Sequence, residues 1–184
     1  MDVSEAIRGR RAVRSYTDSP VARALLRRLI DAAIQAPSAV NEQNWSFTIV
    51  QDKVLLRAIS KQAKAYLVER GALGASLRER LQDPEFDIFY DAPALVVISS
   101  VGSGQWDVEN CALAAQNLML AAHANGLGSC WIGFAQPWLF TVDGRAALQL
   151  QAGHTPRAPI IVGYPQNSPP AVPRREPQIN WIGP

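Results

Sequence analysis

The sequence predicts one domain built from both α-helices and β-strands. Several segments repeat apolar residues at helical spacing between recognisable caps, and several short runs rich in β-branched residues read as strands. The chain is 184 residues long, close to a single domain in size, and no internal repeat divides it. At that length folding buries roughly 70% of the unfolded chain's surface, so a core forms without disulfide or metal staples.

Residues 3–8 read as a short helix capped by Asp2. A basic turn follows, with Arg8, Arg10, Arg11 and Arg14 around Gly9. Ser19 and Pro20 predict the start of a second helix, carried by Val21, Leu25, Leu29, Ile30, Ala33 and Ile34. Pro37 is expected to end it, because the residue before a proline avoids the helical region. Residues 45–50 read as a strand, and Asp52 then caps a third helix through Leu55, Ile59, Ala63, Tyr66 and Leu67. Residues 71–93 are ambiguous. Gly71 and Gly74 interrupt them, whereas Phe86, Ile88, Phe89 and Tyr90 anchor them, which suggests a cover over a site. Residues 94–99 form a continuous apolar run typical of a buried strand.

Asp107 is expected to cap the longest helix, over residues 108–125, which Gly126 ends. That helix is apolar on nearly every face, at Ala112, Leu113, Ala115, Leu118, Met119, Leu120 and Ala122. A helix apolar all round is buried all round, and small residues permit close approach, so it suits the centre of a dimer. A strand at 130–132, a helix within 136–150 and a last strand at 160–162 complete the series. Six of the 13 prolines fall in the final 20 residues, which excludes a helix or central strand there. Ile179, Trp181 and Ile182 nonetheless make this tail too apolar for disorder. It is expected to dock on a surface, such as that of a second subunit.

Composition narrows the classes. Charged residues make up 18% of the chain, below the usual ~25%, which favours an oligomer that covers apolar area. A net charge of +2 is too small to indicate a nucleic-acid partner. Cys111 and Cys130 make no disulfide framework and fit a reducing, cytoplasmic setting. The opening residues lack a basic region followed by an apolar stretch, so no signal peptide is expected. No apolar run reaches the ~18 residues of a membrane span. The motifs GxGxxG, CxxC, HExxH and the phosphate-binding GxxxxGK loop are all missing. His123 and His154 have no ligand-like neighbours in sequence, so neither metal chemistry nor a nucleophilic triad is expected.

Four constellations remain. In Arg10-Arg11-Ala12-Val13-Arg14-Ser15-Tyr16, clustered guanidiniums match phosphate oxygens bidentately, although the same cluster also reads as a solvated basic loop. In Ala36-Pro37-Ser38-Ala39-Val40-Asn41-Glu42-Gln43-Asn44-Trp45, side-chain amides that both donate and accept suit a heterocycle edge, although ordinary loops share this make-up. In Gly126-Leu127-Gly128-Ser129-Cys130-Trp131-Ile132-Gly133, the last glycine lets backbone approach a flat ring, while Trp131 packs on that ring or in the core. The fourth is Gly163-Tyr164-Pro165, followed by Pro173-Arg174-Arg175-Glu176-Pro177.

Taken in order, over residues 7–181, these segments resemble the nitroreductase family of oxidoreductases that depend on flavin mononucleotide (FMN). The resemblance implies an α+β fold in three α/β/α layers, with a central, mostly antiparallel sheet flanked by helices. It implies one domain over residues 1–184, with 164–184 as an extended C-terminal tail, in an intertwined homodimer with FMN at the subunit interface. By the same resemblance Arg10, Arg11, Arg174 and Arg175 hold the phosphate, with Ala12 lending backbone. Arg14 faces the pyrimidine side of the ring and is the implied catalytic residue. Pro37, Ser38, Ala39 and Asn41 come from the other subunit, with Gln43 nearby. Trp131, Ile132 and Gly133 lie along the ring.

The implied activity moves hydride from NADH or NADPH through FMN to a small acceptor, such as a nitroaromatic or quinone, in ping-pong order. Residues 71–93 do not align with the larger family members, and specificity is expected to reside there. Two other classes compete: a flavin-binding or regulatory protein without NAD(P)H turnover, and a basic nucleic-acid-binding module. A thiol enzyme built on Cys130 is disfavoured, because apolar neighbours raise a thiol pKa.

Overall fold

The computed structural model describes residues 1–71 and 74–183. Strand β2 (Ala94–Val101) decides the architecture. Ala94, Val96 and Ile98 face one side, Leu95 and Val97 face the other, and all five are fully buried. A strand that is apolar on both faces needs a helical layer on each side. β2 pairs antiparallel with β1 (Trp45–Val50) and with β4 (His154–Gly163), and β4 pairs antiparallel with β3 (Gly128–Trp131). The sheet order is therefore β1-β2-β4-β3.

One face of the sheet carries α2 (Arg23–Ala33) and α5 (Asp107–Ala124), packed through Leu26, Leu29, Ala114 and Leu118. α1 (Val3–Gly9) rests on α5. The other face carries α3 (Lys53–Glu69), α6 (Gln136–Leu139) and Leu81 of α4 (Ala75–Gln82), with Ile88 and Phe89 filling the gap. The protein thus has the expected α+β fold, with helices on both sides of an antiparallel sheet. Among the described residues no helix is long and apolar enough to cross a membrane.

Several boundaries differ from the sequence expectation, each for a local reason. α2 begins at Arg23 rather than after Ser19-Pro20, and its cap residue Ala22 makes no side-chain bond. The carbonyl of Val21 is taken by the Gln51 side chain (2.8 Å), and Val21 itself is buried, so the segment before α2 is pinned outside the helix. The helix ends at Ala33, short of Pro37. Asp107 does not cap α5; Trp106 holds the cap position, and the Asp107 carboxylate is engaged by other side chains. Nor is α5 buried all round within one chain, because Val108 and Leu113 are 56% and 44% exposed.

The helix expected within 136–150 is two short ones, α6 and α7 (Val142–Ala147). Thr141 divides them, its hydroxyl donating to Trp138 O and accepting from Gly144 N. β4 is longer than 160–162 and runs through Pro156 and Pro159, where β2 is its one ladder partner and β3 has not yet joined. A bulge accommodates it: Ile98 faces Ala158 and Ser99 faces Pro156, which leaves Arg157 unpaired. Pro159 still offers its carbonyl, which accepts from Ile132 N (2.8 Å). Residues 71–93 hold α4 and a compact turn, but Ala72 and Leu73 lie outside the described residues. The tail has no regular structure, and residues 171–183 are exposed in the single chain.

Two predictions follow from this packing. A Cβ on Gly144 would lie 2.2 Å from the Trp138 carbonyl oxygen, so Gly144→Ala should cost about 1–3 kcal/mol, read as a lower urea midpoint. Burial pushes the Cys111 thiol from 9.0 up to about 12, so the folded state holds that proton more tightly than the unfolded chain. Its contribution to stability is complete below pH 9 and lost as pH rises toward 12. The urea midpoint should fall over that window, and less so in Cys111→Ala.

Candidate functional site

The basic turn after α1 is held along the edge of the sheet. Ala12 bridges in parallel to Ser129, Val13 N donates to Ser129 O (3.1 Å), and Tyr16 bridges to Pro165. The Tyr16 hydroxyl donates to Val13 O (2.7 Å), which folds the turn back on itself. Burial holds the Tyr16 phenol well above its ordinary pKa, so it stays a donor. The start of the tail is stitched to the same turn, since Ser15 Oγ donates to Gln166 Oε1 (2.8 Å) and Gln166 N donates to Ser15 O (3.0 Å).

The positive charges of Arg10 and Arg14 act on the Cys130 thiol of β3. Burial raises the Cys130 thiol pKa, and the two guanidiniums nearby only partly offset that. The thiol is therefore a poor nucleophile. Arg11 turns the other way, toward carbonyls of its own chain at Arg8, Arg10 and Pro170. It clips the tail to the turn. Arg174 and Arg175 lie four and five residues past that clip, exposed, and the chain reaches at most about 14 Å from Pro170 to Arg174. A cavity of about 310 Å³ opens here beside Arg10, Arg11, His123 and Ser129. The Ser129 hydroxyl, 2% exposed as a residue, has no hydrogen-bond partner.

β3 ends at Trp131, half-buried against the α2/α5 layer, and buried Ile132 follows. Gly133 is exposed, and a Cβ placed there would meet nothing within 4 Å. Among the described residues its N–H meets no backbone acceptor.

The amide-rich loop is elsewhere. A 3-10 turn (Ala39–Asn41) carries Val40 at φ 44°, Asn41 at φ 57° and, just after it, Gln43 at φ 49°. Non-glycine residues rarely adopt such angles. Ser38 Oγ accepts from Gln43 N (3.0 Å), and Gln43 Nε2 donates to Asn41 Oδ1 (3.0 Å). Pro37 is exposed, while Ala39 N donates to Asn110 Oδ1 on α5 (2.9 Å).

The two sets sit at opposite ends of α5. The loop is tied to Asn110, whereas Gly9, at the head of the arginine turn, packs against His123. Thirteen residues of helix separate these points, about 20 Å at 1.5 Å per residue. One chain therefore holds Arg10, Ala12 and Arg14 at one end and Pro37, Ser38, Ala39, Asn41 and Gln43 at the other, while β3 runs back from Gly128 so that Trp131, Ile132 and Gly133 lie between them.

Sequence reasoning missed the polar residues that brace the loop: Glu42, Asn44, Asp107, Asn110 and Arg157. A signal was present. Asn110 falls on the core side of an otherwise apolar helix, and a buried amide needs partners. Ser129 was also passed over, since nothing in the sequence marks a lone serine as unpaired.

The model of the nitroreductase family matches residues 7–164. A Methanothermobacter thermautotrophicus protein with the provisional name NADH dehydrogenase/NAD(P)H nitroreductase is 34% identical over 175 residues, covering 92% of this chain and 80% of that protein. A Bacteroides fragilis nitroreductase solved with bound FMN superposes with a TM-score of 0.80 at 27% identity, over 98% of this chain and 95% of the other. An FMN-dependent nitroreductase from Clostridium difficile gives 0.83 at 26% identity, over 97% and 98%. With a basic turn on the β3 edge, an open glycine beyond it and a match along most of its length, the chain belongs to the nitroreductase family.

Proposed function

We propose that the protein binds FMN and uses it to pass hydride from NADH or NADPH to a small acceptor, such as a nitroaromatic or a quinone. The observation that carries this reading is the basic turn held on the β3 edge, where Arg10 and Arg11 line a cavity of about 310 Å³. Relatives named as NAD(P)H nitroreductases and neighbours solved with FMN support it.

The residues present fit FMN. The cavity is lined by Arg10, Arg11 and Ser129, and its two guanidiniums suit a phosphate. Arg10 would hold the phosphate as a charge-assisted pair, joined by Arg174 and Arg175 from the tail. Arg11 contributes indirectly by fastening that tail at Pro170. Trp131, Ile132 and Gly133 would lie along the ring. When bound, FMN would supply the hydride-transfer chemistry between NAD(P)H and the acceptor. Arg14 would stabilise negative charge that develops on the pyrimidine side, a contribution of roughly 3 kcal/mol for one well-placed donor. No side-chain nucleophile is required.

The half-sites at the two ends of α5 favour a homodimer. Two antiparallel copies of α5 would set the loop of one subunit, with Pro37, Ser38, Ala39, Asn41 and Gln43, beside the arginines of the other. Val108 and Leu113 leave an apolar stripe on α5, and Trp181 is 84% exposed on the tail, so both have surface to cover.

The first test is spectroscopic. Purified protein reconstituted with FMN should show flavin absorption that bleaches under anaerobic NADH or NADPH and returns with a quinone or nitroaromatic. Flavin bands that resist both donors would indicate a binding protein without turnover, and no binding of added FMN would end the proposal. Arg10→Ala and Arg175→Ala should each weaken FMN by roughly tenfold to a hundredfold, the loss of one charged hydrogen bond, without dissociating the dimer. Unchanged FMN affinity in both would refute the phosphate assignment.

A further inference from the structure

A buried polar chain ends on an exposed loop. Ser100 Oγ accepts from Arg157 Nε (3.1 Å), and Arg157 pairs with Asp107 (3.4 Å). Asp107 accepts from Asn44 Nδ2 (2.6 Å), and Asn44 Oδ1 accepts from Asn110 Nδ2 (3.0 Å). Asn110 Nδ2 also lies 3.3 Å from Glu42 Oε2, and Asn110 Oδ1 accepts the Ala39 N–H at 2.9 Å. Asp107 and Asn110 are 1% and 2% exposed, yet none of residues 37–43 is buried.

Taking these groups out of water costs free energy, and the core gains nothing from the shape of residues 37–43. That shape is itself strained. Val40, Asn41 and Gln43 are held at positive φ, and such residues persist only where their surroundings enforce them. Inside the loop, Gln43 N donates to Ser38 Oγ and Gln43 Nε2 to Asn41 Oδ1; from outside, Asn110 accepts from Ala39 N and donates to Glu42. Gly104 closes over the chain. A Cβ there would lie 2.8 Å from Asp107 Oδ1 and 3.3 Å from Asn44 Nδ2.

We infer that Asn44, Asp107 and Asn110 are positioning residues that preset the 38–43 loop for the ring end of the flavin. This rests on the FMN reading above. The three act through the loop and, in the antiparallel dimer, on the site of the neighbouring subunit. Their effect belongs to the isoalloxazine and not to the phosphate, so it is the same for riboflavin and FMN. An arginine at the phosphate end discriminates between the two.

The experiment is a fluorescence titration of flavin-free protein with FMN and with riboflavin, alongside the thermal midpoint of each variant. Asn110→Ala should weaken both flavins by the same factor, about tenfold, the loss of the bond that enforces the loop. Because Asn110→Ala removes a buried amide, Gly104→Ala serves as the second variant. It crowds the same chain without deleting a partner, and it should weaken both flavins equally while leaving the thermal midpoint near that of the parent. If Asn110→Ala does not fold, Gly104→Ala decides by the same criterion. Unchanged affinity for both flavins in a folded variant overturns the inference, as does a loss confined to FMN. A parent protein that binds neither flavin instead overturns the FMN reading, so the two failures are distinguishable.

Discussion

A carboxylate that is 1% exposed has to be answered from within the protein, and Asp107 is such a group. The desolvation penalty for a buried ion is several kcal/mol, and removing one partner of a buried pair leaves the other charge uncompensated. Arg157 and Asn44 supply the answer from two sides. Arg157 reaches Asp107 because the bulge in β4 sets it outside the ladder. Asn44 reaches it because its carbonyl accepts Val101 N (2.8 Å), which fixes the entry into β1 beside the end of β2. One ion thus ties together the start of α5, the register of β4 and the loop before β1.

The length of α5 then governs the functional geometry. Its N-terminal end carries the braced amide loop, and its C-terminal end carries the arginine turn and the exit into β3. About 20 Å of helix lies between them, so no small ligand can touch both within one chain. Val108 and Leu113 on α5 and Trp181 on the tail stay exposed in the single chain, which is the apolar surface that the proposed pairing of two copies would cover.

The roles within the arginine turn also separate. The charges of Arg10 and Arg14 act on the Cys130 thiol of β3, which burial keeps neutral. Arg11 is taken up by three carbonyls and works as a clip. Adjacent arginines with one charge and one chemistry therefore differ in their partners, Arg11 being committed to carbonyls of its own chain.

Much of the fold was legible in the residues. β1 and α3 fall where alternation, the apolar run and the Asp52 cap place them, because local chemistry alone decides those segments. Gly126 ends α5 region at φ 74°, a conformation glycine adopts without strain. The ordered motifs named the family. What sequence hid were features set by contacts distant along the chain. β4 extends through two prolines because β2 pairs with it there along one side, a partner that local propensity does not reveal. Asp107 looked like a cap and is instead an ion-pair member, because Arg157 and Asn44 arrive from elsewhere in the chain. The sequence by itself determined which segments are helix or strand and which chemical groups are on hand. Only the tertiary structure decided which of those groups meet, because the partner of a buried charge or amide is chosen by packing and not by its neighbours in the chain.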